Sequence, residues 1–123
     1  MVWLLVGVGG ALGSMARHGL NQLIHQRSLA ATFPIGIFVI NILGSIAIGV
    51  LAGMIASGRT AISFEARTFL VVGVLGGFTT FSSFSLDTMA LFRDGHHAAA
   101  LANVLGQVFV SLIGTWAGYR LAS

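Results

Sequence analysis

Four long apolar stretches follow one another along the chain, and short polar segments separate them. They cover residues 2–24, 34–57, 66–92 and 98–121. Each is close to the roughly 20 residues that cross the hydrocarbon core of a bilayer as a helix. The pattern predicts an all-α membrane protein, with one transmembrane domain over residues 1–123, four membrane-spanning helices and no separate soluble domain.

The third apolar stretch is interrupted between Gly73 and Phe84 by the sequence Gly-Val-Leu-Gly-Gly-Phe-Thr-Thr-Phe-Ser-Ser-Phe. Two adjacent glycines each disfavour a helix by about 1 kcal/mol, and the Thr and Ser hydroxyls compete for backbone hydrogen bonds. We therefore expect helix three to be broken near its middle. At membrane depth such a break is tolerated only inside protein or beside a wet cavity, so this segment is predicted to expose backbone dipoles to an ion.

The composition agrees with a membrane protein and excludes several kinds of chemistry. The chain is 56% hydrophobic and 7% charged, whereas soluble domains average about 25% charged residues. It has no cysteine, so it has no disulfide, thiolate metal site or cysteine nucleophile. We find no Ser/His/Asp arrangement, facing carboxylates or phosphate-binding loop, and therefore predict no enzyme. The six basic residues are dispersed arginines, which argues against nucleic acid.

Polar side chains inside the apolar stretches allow two interpretations. Asn41 is either a hydrogen-bond clasp between helices or an amide donor to a permeating anion. Side chains at four-residue spacing form one slowly winding stripe on the fourth helix, either a track for an ion or packing glue. The members of this stripe are Asn103, Gln107, Ser111 and Thr115.

Two phenylalanines and two charges in the apolar stretches are also open to more than one interpretation. Phe81 and Phe84 either pack against apolar neighbours or turn their positive ring edges toward an anion. Arg17 either snorkels, bonds carbonyls of a neighbouring helix or draws anions into a vestibule. Asp87 either pairs with an arginine or caps the second half of helix three.

The arginines are divided equally between the two sides of a four-span chain. Arg59, Arg67 and Arg120 fall on the side of both termini, and Arg17, Arg27 and Arg93 fall on the other. Since the Lys/Arg imbalance orients a membrane protein, an equal division predicts insertion in both orientations and an antiparallel dimer, although six arginines can also divide equally by chance. Close helix packing is predicted from small residues at four-residue spacing, namely Gly9/Gly13, Gly49/Gly53 and Gly114/Gly118.

Three motifs resemble the small bacterial fluoride channels, the Fluc/CrcB family. Residues 76–84, Gly-Gly-Phe-Thr-Thr-Phe-Ser-Ser-Phe, are close to the family's Gly-Gly-x-Thr-Thr-Phe-Ser-Thr-Phe. The others are Gly9-x-x-x-Gly13-x-x-x-Arg17 in the first helix and Gly36-x-x-x-Ile40-Asn41-x-x-Gly44 in the second. Their order and spacing extend the resemblance over the whole chain.

The resemblance implies a fluoride-selective channel in the bacterial cell (inner) membrane, multi-pass, which lets fluoride leave the cytoplasm passively. It implies an antiparallel, dual-topology homodimer with two pores, so that the partners are fluoride, a second copy of the chain and the lipid bilayer. It also implies a structural Na⁺ at the dimer interface, held by the main-chain carbonyls of Gly76 and Thr79 from both subunits.

The resemblance also implies roles for individual residues. The fluoride path would be lined by Asn41, Thr80, Phe81, Ser83, Phe84, Gln107, Ser111 and Thr115. Arg17 matches a vestibule arginine, and Asp87 matches a position that is usually acidic. The chain departs from the family at Ile37, where a Thr is common, and at Ser83, which replaces a Thr in the phenylalanine motif.

Two other functions compete with this interpretation. A small dual-topology, proton-coupled exporter of cationic compounds also uses four short helices, but it needs an intramembrane carboxylate, typically in the first helix. The first helix here has no Asp or Glu, and Asp87 is the only acid inside a span. The other alternative is a structural membrane subunit in which the polar stripe only holds helices together.

Overall fold

The computed structural model describes residues 1–28 and 32–123, and within these ranges all regular structure is helical. Residues 29–31, in the polar segment between the first two predicted spans, lie outside the described residues. Four long helical runs account for most of the chain: α1 (Val2–Arg27), α2 (Ile35–Ala56), a third run (Phe64–Arg93) and α6 (His97–Ala122).

Three of these runs, α2, the third run and α6, are long and apolar enough to cross a membrane. The first helix, α1, is long enough, with 26 residues, but it is not apolar enough. Arg17, His18 and the polar residues after them lower its mean hydropathy. α1 also continues three residues beyond the predicted end at residue 24. Its last turn holds His25 and Arg27, which interact favourably with the negative end of the helix dipole.

The third run changes its backbone geometry several times. It consists of α3 (Phe64–Arg67), a π-helical segment (Thr68–Leu75), α4 (Gly76–Phe78), two extended residues and α5 (Phe81–Arg93). The extended residues are Thr79 (φ −85°, ψ 156°) and Thr80 (φ −152°, ψ 118°). The chain thus leaves helical geometry directly after Gly76-Gly77-Phe78 and resumes it at Phe81.

Local side-chain and backbone bonds define the ends of α5. At its start the Thr80 hydroxyl oxygen accepts the Ser83 backbone N–H at 3.2 Å, which is an N-cap bond. At its end Gly95 adopts a φ of 83°, and the His96 N–H reaches the Leu91 carbonyl at 2.8 Å. This Schellman motif favours glycine at the left-handed position and turns the chain into α6.

The helices α2 and α6 form the most extensive contact of the fold, and they run in the same direction. Asn41 contacts Gln107 near the beginning of the interface, and Gly53 lies against Tyr119 near its end. A Cβ on Gly49 would meet the Thr115 carbonyl oxygen, so this backbone approach requires glycine. The prediction of close packing at Gly49/Gly53 is confirmed.

The helix α1 packs in the same way, and also in parallel, against the first half of the third run. A Cβ on Gly9 would lie 2.7 Å from the Phe69 carbonyl oxygen, and one on Gly13 would meet the Val74 carbonyl oxygen. The prediction for Gly9/Gly13 is therefore confirmed too. The first and third helical runs are thus parallel neighbours, and so are the second and fourth. This agrees with a chain whose direction reverses at each connection.

Candidate functional site

The extended residues Thr79 and Thr80 lie beside a cleft of about 480 Å³ between α2, the third run and α6. Most of the predicted pore and cation residues line it. From the predicted set these are Asn41, Gly76, Thr79, Thr80, Phe81, Phe84, Gln107 and Ser111. Fold and sequence therefore bring the phenylalanine motif, the helix-two asparagine and part of the helix-four stripe to one place.

Asn41 is hydrogen-bonded to both backbone groups of Thr80. Its Oδ1 accepts the Thr80 N–H at 2.8 Å, and its Nδ2 donates to the Thr80 carbonyl at 3.0 Å. In a continuous helix these groups would be bonded within the backbone, so the side chain of Asn41 replaces the bonds that the extended geometry loses. The clasp interpretation of Asn41 thus describes its contacts in the single chain.

Asn41 is also the first member of a longer series of polar contacts. Its Nδ2 donates to Gln107 Oε1 at 2.7 Å, and Gln107 Nε2 donates to Asn103 Oδ1 at 3.0 Å. Asn103 Nδ2 then donates to Thr88 Oγ1 at 3.0 Å, and the Thr88 hydroxyl donates to the Phe84 carbonyl at 2.8 Å. Asn103 is fully buried, so this series lies inside the protein.

The two phenyl rings of the motif are neighbours with different environments. Their centroids are 5.2 Å apart and their planes are inclined by 58°. Phe84 is 8% exposed, whereas Phe81 is 77% exposed in the single chain. Phe84 is thus held by packing, and Phe81 offers its ring to whatever occupies the open side of the cleft.

The predicted pore hydroxyls differ in what they contact. The Thr80 hydroxyl donates to Ser83 Oγ at 3.2 Å, so both belong to the cap of α5. Ser111 lines the cleft. Thr115 lies one turn further along α6, outside the cleft lining, and its hydroxyl donates to the Ser45 carbonyl at 2.9 Å. In this geometry Thr115 joins α6 to α2.

Arg17 bonds a carbonyl of the third run, which is one of its three predicted roles. Its Nη1 lies 3.5 Å from the carbonyl oxygen of Thr79, a long hydrogen bond. The positive charge is therefore placed next to the extended residues.

Neither predicted role of Asp87 is observed among the described residues. Thr80, and not Asp87, caps α5, because α5 begins at Phe81 and Asp87 lies almost two turns inside it. The ion pair found in this part of the chain joins Arg93 to Asp94 on the surface. Asp87 instead lines a second cavity of about 280 Å³ together with Asn21 and His25.

The residues implied as cation ligands fit that role by their chemistry. Within residues 1–28 and 32–123, no group of three or more His, Asp or Glu side chains lies close enough to hold a metal ion. Gly76 and Thr79 both line the cleft. The Thr80 N–H, which would bond the Gly76 carbonyl in a continuous helix, bonds Asn41 instead, so the local geometry leaves a hard oxygen of the kind that Na⁺ prefers.

Sequence reasoning did not identify Thr88 and Ser45 as parts of this site. Thr88 follows Phe84 at four-residue spacing within α5, which places the two on one side of the helix. That spacing was the available signal for Thr88. Ser45, four residues after Asn41, donates its hydroxyl back to the Asn41 carbonyl at 2.8 Å, and no sequence pattern distinguishes it from ordinary packing.

The chain matches known proteins over nearly its whole length. Residues 4–119 match the family described as CrcB-like protein, Camphor Resistance (CrcB). A protein named fluoride-specific ion channel FluC from Thermus thermophilus is 50% identical over 97% of this chain and 93% of its own length. Proteins of the same name from Paramagnetospirillum magneticum and Rhodospirillum rubrum are 45% and 48% identical, covering 100% and 97% of this chain and 96% and 92% of their own lengths. With the phenylalanine motif, Asn41 and the extended pair meeting at one cleft, this chain belongs to the CrcB family.

Proposed function

We propose that the chain is a fluoride-selective ion channel that lets fluoride leave the cytoplasm passively across the bacterial inner membrane. The observation that carries this proposal is the meeting of Asn41, the extended Thr79-Thr80 pair and the Phe81/Phe84 rings at one cleft. The relatives named above are called fluoride-specific channels, not enzymes, and three helical runs are apolar enough for a multi-pass membrane protein. The exporter alternative has no support from these relatives.

The third span is proposed to be interrupted inside the membrane so that polar groups can face the ion. Unsatisfied backbone groups are costly in hydrocarbon and are tolerated only where protein or water compensates them. Asn41 compensates both backbone groups of Thr80. Asn41 thus meets this requirement for the two backbone groups of Thr80.

Fluoride is small and strongly hydrated, so the pore must replace its water with positive groups yet bind it weakly enough to release it. Asn41 Nδ2 faces the carbonyl of Thr80 and Oε1 of Gln107. A fluoride ion would take an N–H from one of these oxygens, and the lost protein bond would offset part of the gain. The C–H edges of the Phe81 and Phe84 rings add partially positive contacts that have no ionisable proton.

The other predicted pore residues have different roles around Asn41 and the two phenyl rings. Ser111 offers its hydroxyl from the cleft wall. Thr80 and Ser83 maintain the start of α5, and Thr115 connects α6 to α2. Arg17, next to Thr79, would raise the local concentration of anions at the entrance, the vestibule role that the resemblance implies.

The functional unit is proposed to be an antiparallel, dual-topology homodimer with two pores. The equal division of arginines supports insertion in both orientations. In the isolated chain, only 22%, 17% and 22% of the most apolar stretch of α2, the third run and α6, respectively, is buried inside the protein. Lipid and a second copy together would cover this surface, including the exposed ring of Phe81.

A Na⁺ ion is also proposed at the dimer interface. One chain would offer the carbonyl of Gly76 and that of Thr79, which also accepts the long Arg17 bond at 3.5 Å through one of its two lone pairs. A second copy related by a two-fold axis would offer the same pair. The ion would neutralise the negative ends of these carbonyls. We expect the melting temperature of the purified protein to fall when Na⁺ is replaced by N-methyl-D-glucamine, since a ligand bound only to the folded state stabilises it. An unchanged melting temperature across millimolar to molar Na⁺ would contradict the site.

Fluoride efflux from liposomes tests the proposed function. The purified protein is reconstituted at low density, and release of fluoride is followed with an electrode after a K⁺ ionophore is added. Rapid fluoride release, with chloride retained in parallel vesicles, is expected. Protein-free vesicles control for leakage. Retention of fluoride by vesicles that contain a monodisperse, folded protein would overturn the proposal and direct attention to Asp87 and cation export.

A further inference from the structure

Thr88 and Asn103 complete a series of hydrogen bonds that begins and ends on α5. It runs from the carbonyl of Phe84 through both of them to Gln107, Asn41 and the backbone of Thr80, the N-cap of the same helix. Asn103 is fully buried. Neither Thr88 nor Asn103 lines the cleft, so any effect they have on an ion must act through the residues between them and the cleft.

The first end of the series fixes the orientation of every amide in it. The Thr88 hydroxyl has a single hydrogen, which it donates to the Phe84 carbonyl at 2.8 Å. Its oxygen can therefore only accept from Asn103, whose Nδ2 lies at 3.0 Å. Asn103 consequently turns Oδ1 toward Gln107 Nε2. This leaves Oε1 of Gln107 as the acceptor for Asn41.

The second end imposes the same orientation independently. The Thr80 backbone N–H can only donate, and it bonds Oδ1 of Asn41 at 2.8 Å. Nδ2 of Asn41 must then face Gln107 and the Thr80 carbonyl. An amide can exchange its oxygen and nitrogen by rotation with almost no change in shape, so only its partners decide which atom faces the cleft. Here the partners at both ends agree.

We propose that Thr88 and Asn103 are positioning residues of the ion path. They hold the Asn41 amide with its N–H groups directed to Gln107 and the Thr80 carbonyl beside the cleft, and they hold the first turns of α5, with Phe84, against α6. The consequence for transport rests on the proposed fluoride-channel function, whereas the orientation of the amides does not depend on it.

The substitution Thr88→Val tests the role of Thr88 because it keeps the shape and removes the acceptor. The Asn103 N–H then loses its acceptor in a buried position, which favours rotation of the Asn103 and Gln107 amides. Because the Thr80 backbone still holds Asn41, a rotated Gln107 would turn its Nε2 toward Asn41 Nδ2. Two facing N–H₂ groups repel each other, so Asn41 and Gln107 would move apart and the Asn41 N–H groups would be displaced from their places at the cleft. We expect fluoride efflux to fall about tenfold or more, in line with the loss of one buried hydrogen bond, and the fluoride-to-chloride ratio to fall with it.

Two matched variants separate positioning from general damage. Thr88→Ser restores the hydroxyl and is expected to recover most of the wild-type rate and selectivity. Ser85→Ala removes the same kind of bond on the same helix, since the Ser85 hydroxyl donates to the Phe81 carbonyl at 2.9 Å, but Ser85 is exposed and outside the series. It is expected to leave both quantities near wild type.

A second readout follows the amides directly. The chain has only the asparagines Asn21, Asn41 and Asn103 and the glutamines Gln22, Gln26 and Gln107, so NMR of the ¹⁵N-labelled protein resolves few side-chain amide signals. Thr88→Val is expected to shift the signals of Asn103, Gln107 and Asn41 together and to leave Asn21 unchanged. Ser85→Ala should shift none of them.

The outcomes distinguish the two proposals. Concerted amide shifts in a protein that releases no fluoride would uphold the orientation and overturn the channel function. If the wild-type protein releases fluoride and the Thr88→Val variant releases it at the same rate, the positioning role is overturned. An Asn41 signal that does not move in this variant would also overturn it. Loss of efflux that Thr88→Ser fails to restore would also overturn it.

Discussion

At the scale of single residues, the two phenylalanines of the motif have separate structural duties although their rings touch. Phe84 is buried between α5 and its neighbours, while Phe81 is largely exposed in the single chain. The centroid distance of 5.2 Å and the inclined planes are typical of attractive aromatic pairs. Phe84 therefore fixes the pair within the fold, and Phe81 extends it toward the open side of the cleft.

Replacing each ring should reveal this division. Phe81→Ile is expected to reduce fluoride efflux strongly while changing the free energy of unfolding by less than about 1 kcal/mol, since little packing within the chain is lost. Phe84→Ala should reduce efflux and also destabilise the protein by about 3 kcal/mol, as truncation of a packed Phe does. Efflux assays and thermal unfolding in detergent measure both. Wild-type efflux for Phe81→Ile would contradict the ring-edge mechanism.

The sequence predicted which residue types meet at the cleft, but not how they are bonded. Asn41, the phenylalanine motif and the helix-four stripe could be identified because polar and aromatic groups are conspicuous in apolar stretches. The two-way bond from Asn41 to Thr80 depends on the backbone turning outward at Thr79 and Thr80. The capping role expected for Asp87 fails for the same reason, because the exact start of α5 decides which side chain caps it.

At the scale of elements, the third run is held against α1 by contacts between backbones. Gly9 and Gly13 place α1 directly on the π-helical segment and α4. Without a hydrophobic force between helices in lipid, such close approach supplies the packing that holds them together. The contact also positions the extended residues, since α4 ends immediately before them.

Substitution of glycines in α1 should separate close packing from helix propensity. A Cβ on Gly13 would meet the Val74 carbonyl oxygen, whereas one on Gly7 would meet nothing within 4 Å in the chain. Gly13→Ala is expected to lower the melting temperature and fluoride efflux. Gly7→Ala should leave both unchanged or raise the melting temperature slightly, because Ala favours a helix by about 1 kcal/mol over Gly. Equal effects of the two variants would contradict this account of the interface.

Element boundaries followed from the sequence only where apolar character and helical geometry end together. α1 continues through His25 and Arg27 because backbone hydrogen bonds persist where hydropathy has already fallen. The π-helical segment Thr68–Leu75 has no distinctive composition, being apolar and rich in branched residues like an ordinary span. Its close contact with Gly9 and Gly13 of α1 joins residues distant in the chain, which a local pattern does not contain.

At the scale of the whole molecule, alternate helices run in parallel, so each end of the bundle holds two helix starts and two helix ends. α1 runs with the first half of the third run, and α2 runs with α6. Few charges distinguish the ends, because only 7% of the residues are charged. A molecule with such similar ends and an equal division of arginines has little to select one orientation during insertion.

Shifting a single arginine should therefore change the orientation measurably. With a reporter at the C-terminus, the unmodified chain is expected to place it on both faces of the membrane. Arg27→Gln and Arg67→Gln each remove one charge from opposite sides of the predicted topology, and both residues are exposed in the structure. Since arginine-rich segments stay in the cytoplasm, Arg27→Gln should move the C-terminus toward the cytoplasm and Arg67→Gln toward the outside. In cells, a phosphatase reporter active only outside and a fluorescent reporter active only inside measure the two populations.

The double variant restores the equal division and should restore both populations. A fixed orientation in all four proteins would contradict dual topology and, with it, the antiparallel dimer, because a chain inserted one way cannot pair across a two-fold axis in the membrane plane.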